Sequence, residues 1–236
     1  DCNDKPGIML SSAIRKYLNH YAVKCGNNIV LFTNNDDAYE TALSLHDKGV
    51  KIKAIIDIRD QSNGYLVKKC VNLGLKIMWQ HTVVAVGGYK KINKVFIMKL
   101  SNNNNSVIGN KIKIECDLMC VSGGYTPAVH LFTQSGGKLS FDEKKFYFYP
   151  QKAALDQISV GACSGIFNLK NIIEDTHLKV NEFLNTNIKN ETIISDNKSG
   201  KFENIWLLPS DKANGKTKSF VDFQNDSTAN DIKLAL

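Results

Sequence analysis

The alternation of apolar and polar positions divides the chain into elements before any residue's chemistry is considered. Pro6-Gly7 marks a turn. Leu10, Ala13, Ile14, Tyr17, Leu18 and Tyr21 recur at the spacing of one helix face, which predicts an amphipathic helix over 10–21. Ile29–Phe32 is a short, wholly apolar run, the pattern of a buried strand. Asp37–Lys48 reads as a helix closed by Gly49, and Val50–Ile58 as the next strand. Tyr65–Leu73, closed by Gly74, predicts a second helix, and Leu75–Trp79 a third strand. Helices between strands argue a parallel sheet with right-handed crossovers.

From His81 the period changes to two. Alternating strands, broken at Gly87-Gly88 and at the exposed Asn102–Asn105 run, predict a β-meander. Cys116–Val121 then returns as an apolar strand leading into Gly123-Gly124-Tyr125-Thr126-Pro127. Residues 27–121 therefore read as a βαβαβ unit, a meander and a returning strand, an α/β Rossmann-like three-layer domain. Beyond Pro127, "KFYFYP" and "QISVGACSG" are predicted strands, the second running into a helix over about 168–184. Residues 185–201 are polar and read as a loop or linker, while Trp206–Leu208 is apolar. The last stretch, "FVDFQNDSTANDIKLAL", reads as a strand and a helix with Thr228 as N-cap and Asp231 three residues on.

Composition narrows the picture. With 236 residues and 43% hydrophobic content, the chain suits one large or two small domains; no run is long enough to span a bilayer, and no signal-peptide pattern opens it. The absence of an initiator Met and the helical pattern at the end suggest a piece of a longer protein. The six cysteines are scattered, mostly in apolar runs, which argues reduced thiols and a cytoplasmic location over a disulfide framework. The formal charge of +7 comes almost wholly from dispersed lysine, with Arg15 and Arg59 the only arginines, so it predicts a solvated surface and no nucleic-acid footprint.

The strand-to-helix turn "TNNDDAYE" carries the first chemical question. A dinucleotide fingerprint places glycines here so that the backbone can approach a pyrophosphate at the helix N-terminus. Asn34 and Asn35 stand there instead and could adopt positive φ. Asp57 ends the following strand, where a ribose-binding acid lies in such domains. Asn34, Asn35 and Asp57 are thus cofactor-binding candidates. Against them, Asp37 with Glu40 predicts an acidic capping box, and Asp36 adds repulsion of about 1 to 4 kcal/mol toward a phosphate some 4 Å away. A well-capped scaffold helix is the reading favoured by charge.

Several stretches together carry a family resemblance: "NDKPGIML", "VLFTNNDDAYETALSLHDKGV", "CDLMCVSGGYTPAVHLFTQSGGKLSFDE", "VGACSGIF" and "SFVDFQNDSTANDIKLA". Over about residues 3–236 the chain resembles the α subunit of heterotetrameric sarcosine oxidase. That resemblance implies two nested dinucleotide-binding domains like those of flavoprotein disulfide reductases. Residues 1–26 would pack as a segment and helix on the first domain, and 27–124 would be the inserted second domain. Residues 125–190 would be the closing part of the first domain, 191–220 a linker, and 221–236 the start of a bacterioferredoxin-like module. The opening part of the first domain and a folate-binding part would lie outside residues 1–236. The resemblance implies a tightly held NAD in the full subunit, with Gly123, Gly124, Pro127, Gly161, Ala162, Cys163 and Gly165 as candidate cofactor-binding residues. FAD and FMN would belong to the full complex and not to this stretch, because Ala162 and Cys163 stand where related flavoproteins carry an acid after the glycine. Asp222 and Gln224 stand where related oxidoreductases have Cys-x-Cys, so no iron–sulfur cluster is expected.

The implied complex oxidises the N-methyl group of sarcosine, yielding glycine, hydrogen peroxide and methylene-tetrahydrofolate. Its other subunits would be the partners, and this stretch alone would be inactive. Two alternatives stand beside it: a non-catalytic binding or assembly module with a degenerate nucleotide site, and the α subunit of a related FAD-dependent amino-acid dehydrogenase. An incomplete first domain would leave apolar surface that favours dimerisation. The remaining candidates stay structural. Cys116 and Cys120 are expected on one sheet face as core thiols; Cys163, on a strand-to-helix turn, either has a stabilised thiolate or is simply small enough to let a cofactor pass. The five histidines show no metal spacing, and no catalytic nucleophile–base set assembles in sequence.

Overall fold

The computed structural model describes residues 3–188, 202–203, 205, 207–211 and 219–236. The chain divides into two compact units, one of residues 1–123 with 200–236 and the other of residues 124–199. Unit 1 runs β1 (Ile8–Leu10), α1 (Ser11–Tyr21), β2 (Asn28–Thr33), α2 (Asp37–Asp47), β3 (Lys51–Asp57), α3 (Tyr65–Asn72), β4 (Ile77–Trp79), β5 (His81–Gly87), β6 (Lys94–Leu100), β7 (Val107–Glu115) and β8 (Leu118–Ser122). Its main sheet is wholly parallel, in the order β1-β8-β2-β3-β4, and β5-β6-β7 form a separate antiparallel sheet. The Rossmann-like α/β reading and the meander are therefore both present.

Strand alternation builds two cores on the faces of one sheet. Ile29, Leu31, Ile55, Leu118 and Cys120 pack with Ile14, Leu18, Tyr39, Leu45 and Val67 of the helices. Val30, Ile56 and Met119 point the other way, onto Ile92, Val95 and Ile97. Burial of this many aliphatic side chains, each contributing about 1.5–3 kcal/mol, is what makes β2, β3 and β8 run as unbroken apolar stretches.

Two expectations change, at Cys116 with Cys120 and at "QISVGACSG". Residues 3–26 lie within unit 1: β1 pairs with β8, Ile8 opposite Met119, and α1 packs on α2. Cys116 and Cys120 lie on opposite faces, because the strand begins only at Leu118 and the alternation does not reach back to Cys116. "QISVGACSG" forms no strand; Gly161–Ser164 is a single 3₁₀ turn, and the described part of its unit offers Ile158–Val160 no partner strand. The end of the chain is tied to its beginning, with Asn3 Nδ2 donating to the Phe220 carbonyl at 3.1 Å and Phe220 N–H donating to Asn3 Oδ1 at 3.2 Å.

Unit 2 contains α4 (His130–Gln134), the hairpin of β9 (Lys138–Asp142) and β10 (Tyr147–Lys152), the 3₁₀ turn, and α5 (Leu169–Leu184). Asn168 caps α5 by accepting from Asn171 N–H, yet the helix fully buries none of its side chains. At the end of the chain, in unit 1, β11 (Phe220–Asp222) and β12 (Ser227–Thr228) precede α6 (Ala229–Ala235), and the predicted Thr228–Asp231 capping box is formed. Most of the 191–220 linker, including Trp206, lies outside the described residues.

Candidate functional site

In an open parallel sheet, ligands bind at the carboxyl ends of the strands where the order reverses. Here β2 leads on to β3 and β4 on one side and has β8 and β1 on the other, so that point lies between β2 and β8. Thr33–Asn35 and Ser122–Gly123 form its rim. The sequence candidates Asn34, Asn35 and Gly123 meet there, with Asp57 at the end of the neighbouring strand.

The rim is bonded across. Asn34 N–H donates to the Ser122 carbonyl at 3.4 Å, and Asn34 Nδ2 donates to the Gly123 carbonyl at 3.0 Å. Asn35 Nδ2 donates to the Ser122 carbonyl at 3.2 Å, while Asn35 Oδ1 accepts from Ser122 Oγ at 3.1 Å. Glu203 lies on the same turn: its N–H donates to the Asn34 carbonyl at 3.1 Å and its carbonyl accepts from Asn34 Nδ2 at 2.8 Å. Neither asparagine adopts the expected positive φ. The turn reaches its geometry through side-chain bonds, with Thr33 Oγ1 accepting from Asn35 N–H and donating to the Asn35 carbonyl.

The acidic residues also behave differently from the sequence reading. Asp36 flanks α2 in helical conformation and makes no capping bond; Asn35 Oδ1 accepts from Asp37 N–H instead, at 2.9 Å. Asp36 Oδ1 is drawn to Arg59 Nη1 at 2.6 Å, and Ser62 Oγ donates to it at 3.1 Å. Asp37 and Glu40 are held by Arg15, at 3.2 and 3.1 Å. A guanidinium outcompetes a helix amide because it adds the attraction of a full opposite charge to the hydrogen bond. Gly64 makes room, since a Cβ there would lie 1.9 Å from Asp36 Oδ2.

Asp57 is 0% exposed, and Arg59 only 4%. Both Asp57 oxygens are engaged, accepting from Arg59 N–H (3.0 Å), Nε (2.9 Å) and Nη2 (2.7 Å) and from Tyr39 Oη (2.7 Å). Tyr39 stacks on Trp79 and carries the Arg59 guanidinium over its ring, at 6.4 and 5.9 Å between centres. Burial, then the Asp57 charge, raises the Tyr39 phenol well above its ordinary value. Burial alone would lower Arg59, but its bonds to Asp57 and Asp36 outweigh that and fix it as a cation. Sequence reading named Asp57 and passed over Tyr39, Arg59, Ser62 and Gly64; the available signal was that a lysine-rich chain keeps only two arginines.

In unit 2 the candidates lie on glycine backbone. Gly161 and Gly165 have φ of 64° and 86°, and Gly124 110°. A Cβ on Gly165 would meet Tyr147 Oη at 2.7 Å, so that position needs glycine sterically as well as conformationally. Tyr147 Oη donates to the Gly165 carbonyl at 3.1 Å, and Phe167 packs edge-on to Tyr147 and stacks on Tyr125. Cys163 Sγ donates to the Val160 carbonyl and Ser164 Oγ to that of Gly161. Ala162 and Gly123 are exposed, and Pro127 is buried. A cleft of about 310 Å³ nearby is lined by Phe132, Tyr149, Gln157, Ser159, Ser164 and Lys179. Burial raises the thiols of Cys70 to about 12 and Cys116 to about 11, which keeps both protonated. Among the described residues no group of three metal-ligating side chains occurs, and no helix is long and apolar enough to cross a membrane.

No family model matches the chain. Nearly all of it, however, is similar to sarcosine oxidase subunit alpha: 32% identical to that of Corynebacterium sp. strain P-1 and 30% to that of strain U-96, each over 99% of this chain and 25% of the relative. The family resemblance read from the motifs thus extends over the chain's length, and the chain spans about a quarter of the curated relatives it matches. Among solved structures, T. acidophilum thioredoxin reductase superposes with a TM-score of 0.54 at 17% identity, covering 75% of this chain and 56% of that one. L-proline dehydrogenase from P. horikoshii gives 0.51 at 17%, covering 79% and 32%. These two share the fold.

Proposed function

We propose that this chain is a dinucleotide-binding scaffold of the α subunit of a heterotetrameric sarcosine oxidase, an oxidoreductase complex. The complex would oxidise the N-methyl group of sarcosine, giving glycine and hydrogen peroxide and passing the one-carbon unit to tetrahydrofolate. The observation that carries this reading is similarity to sarcosine oxidase α subunits along 99% of the chain, at 32% identity. The chain's own part is to hold cofactor and partners. No described cluster joins a nucleophile, a base and an orienting acid; the one dense ionic group is locked around Arg59.

NAD is assigned to the full subunit, at the half-domain that Gly161 closes. Gly161 and Gly165 stand at positive φ, and Ala162, Cys163 and Ser164 between them are small, the residue types a closely held pyrophosphate calls for. Flavin chemistry belongs to the full complex. The other sarcosine oxidase subunits are the assigned partners, and the cytoplasm the assigned compartment.

The test is coexpression of the full subunit with its partners and measurement of sarcosine-dependent peroxide, together with nucleotide released by acid. The full complex turns over and releases NAD; residues 1–236 alone do not turn over, and sarcosine oxidation by them alone would end this reading. Absence of bound nucleotide in the full subunit would favour the assembly-module reading. The closed rim at Asn34 gives that second reading its support. An amino-acid dehydrogenase ranks lower, since Asp222 stands at a cluster-ligand position and spends its carboxylate on Gln224 N–H and Asn225.

A further inference from the structure

A dinucleotide domain binds its ligand with resources that can be counted: free amides at the first turn, a helix N-terminus facing the pyrophosphate, an acid presented to the ribose, and an open crevice above the strands. In unit 1 each of these is already used by the chain. The amides of Asn34, Asn35 and Asp37 have acceptors in the Ser122 carbonyl, Thr33 Oγ1 and Asn35 Oδ1. The helix start has Asp36 and Asp37 beside it, which repel a phosphate. Asp57, the acid in the ribose position, is wholly buried with donors on both oxygens. The crevice is bonded across by Asn34 and Asn35, and Glu203 lies on the rim.

An arginine at this strand end can also serve a 2′-phosphate. Arg59 is not presented for that: Nε and Nη2 go to Asp57 and Nη1 to Asp36, in a side chain only 3% exposed. Arg15 is spent on Asp37 and Glu40. Both arginines of a chain with 30 basic residues thus bind acids of this one turn or its neighbouring strand end. Lysine could not replace Arg59 equally, because the planar fork aims Nε and Nη2 at Asp57 and Nη1 at Asp36 at once.

We infer that the crevice of unit 1 is a self-ligated site: Arg59 clamped between Asp36 and Asp57, with Asn34 and Asn35 bonded across the β2–β8 rim, takes the donors, acceptors and space of a dinucleotide and shuts it out. The domain keeps a nucleotide-binding fold and uses its binding groups on itself. This rests on the reading above, in which the chain is a dinucleotide scaffold whose NAD is held elsewhere.

The experiment is hydrogen-exchange mass spectrometry on the full subunit in its complex, with and without millimolar NAD⁺ or NADPH, following peptides over 33–42 and 57–64. The wild type shows no nucleotide-dependent protection in either peptide. The variant Asn34→Gly with Asn35→Gly and Asp36→Ser frees the amides, removes a charge and opens the rim, and it gains several-fold slower exchange over 33–42 when nucleotide is added. Protection in the wild type overturns the inference; so does a folded triple variant that gains none. Should that variant fail to fold, Asn34→Gly with Asn35→Gly, which keeps the clamp on Arg59, stays unprotected, and protection in it overturns the clamp's role. Nucleotide release separates this from the functional reading: NAD released without protection at 33–42 supports both. No NAD together with no protection fails only the functional reading.

Discussion

The two units each carry a turn leading toward a helix, and they build it from opposite materials. In unit 1 the turn before α2 is side chain throughout: Asn34, Asn35 and Asp36 are 4, 6 and 8% exposed, and their polar groups bond inward. In unit 2 the turn Gly161–Gly165 is backbone, with two glycines at positive φ and only Ala162, Cys163 and Ser164 between them. Bonded side chains fix a turn and fill the space over it. Glycines fix a turn by conformation, and here Ile172 and Tyr147 pack against the bare faces of Gly161 and Gly165. The contrast teaches that loss of a glycine fingerprint need not cost the domain its shape, provided buried hydrogen bonds replace what the fingerprint supplied.

The strongest way to break this contrast is to remove the clamp. Arg59→Ala leaves two carboxylates buried and uncompensated and lowers unit 1 stability by about 3–5 kcal/mol in denaturant unfolding. A loss near zero would mean that Asp36 and Asp57 are solvated and the crevice is open. The complementary change adds a side chain to unit 2. Gly165→Ala costs about 1–3 kcal/mol, read from proteolysis of that unit, because it strains the left-handed backbone and presses on Tyr147. Ser62→Ala removes a neutral donor from Asp36 and costs about 1 kcal/mol; a much larger loss would place Ser62 beside Arg59 in importance.

Acid–base behaviour sharpens the difference further. Tyr39 is raised in the fold by burial and Asp57, so its contribution to stability is intact below the ordinary tyrosine value of 10.0 and is lost as pH rises above it. Ultraviolet titration should show one tyrosine ionising only as unit 1 unfolds. Smallest of all is the effect on nucleotide content. Asn35→Gly with Asp36→Gly leaves the NAD that copurifies with the full subunit unchanged, since weak binding gained at an opened crevice does not survive purification. A large gain or loss on acid extraction would reverse the assignment between the two turns.

Much of unit 1 was legible because its signals are local. A β-branched run, a 3.6-residue apolar period and a glycine after each helix say strand, helix and stop with no reference to the rest of the chain, and β2, α2, β3, α3 and the Thr228–Asp231 cap of α6 follow from them. The candidate site was half legible. Asn34, Asn35 and Asp57 are legible by their offset from a strand end and Gly123 by the family resemblance; Asn34, Asn35 and Gly123 come together, with Asp57 on the neighbouring strand end. Tyr39, Ser62 and Gly64 are not legible, because Tyr39 matters through Asp57, 18 residues away, and Ser62 and Gly64 through Asp36, 26 and 28 residues away. The false strand at Ile158–Val160 failed for a similar reason: strand propensity is realised only where a neighbour offers backbone partners.

By itself, then, the sequence determined the period of each element, the class of fold, and the absence of glycine from one turn and its presence at the other. Only the tertiary structure decided where the charges go. An aspartate before a helix will cap it unless something better is within reach, and nothing local reveals that Arg59, at the far end of the next strand, is brought to 2.6 Å from Asp36 by the parallel pairing of β2 and β3. In a buried site a full charge at that distance outweighs a helix amide, and that choice turns a cap into a clamp.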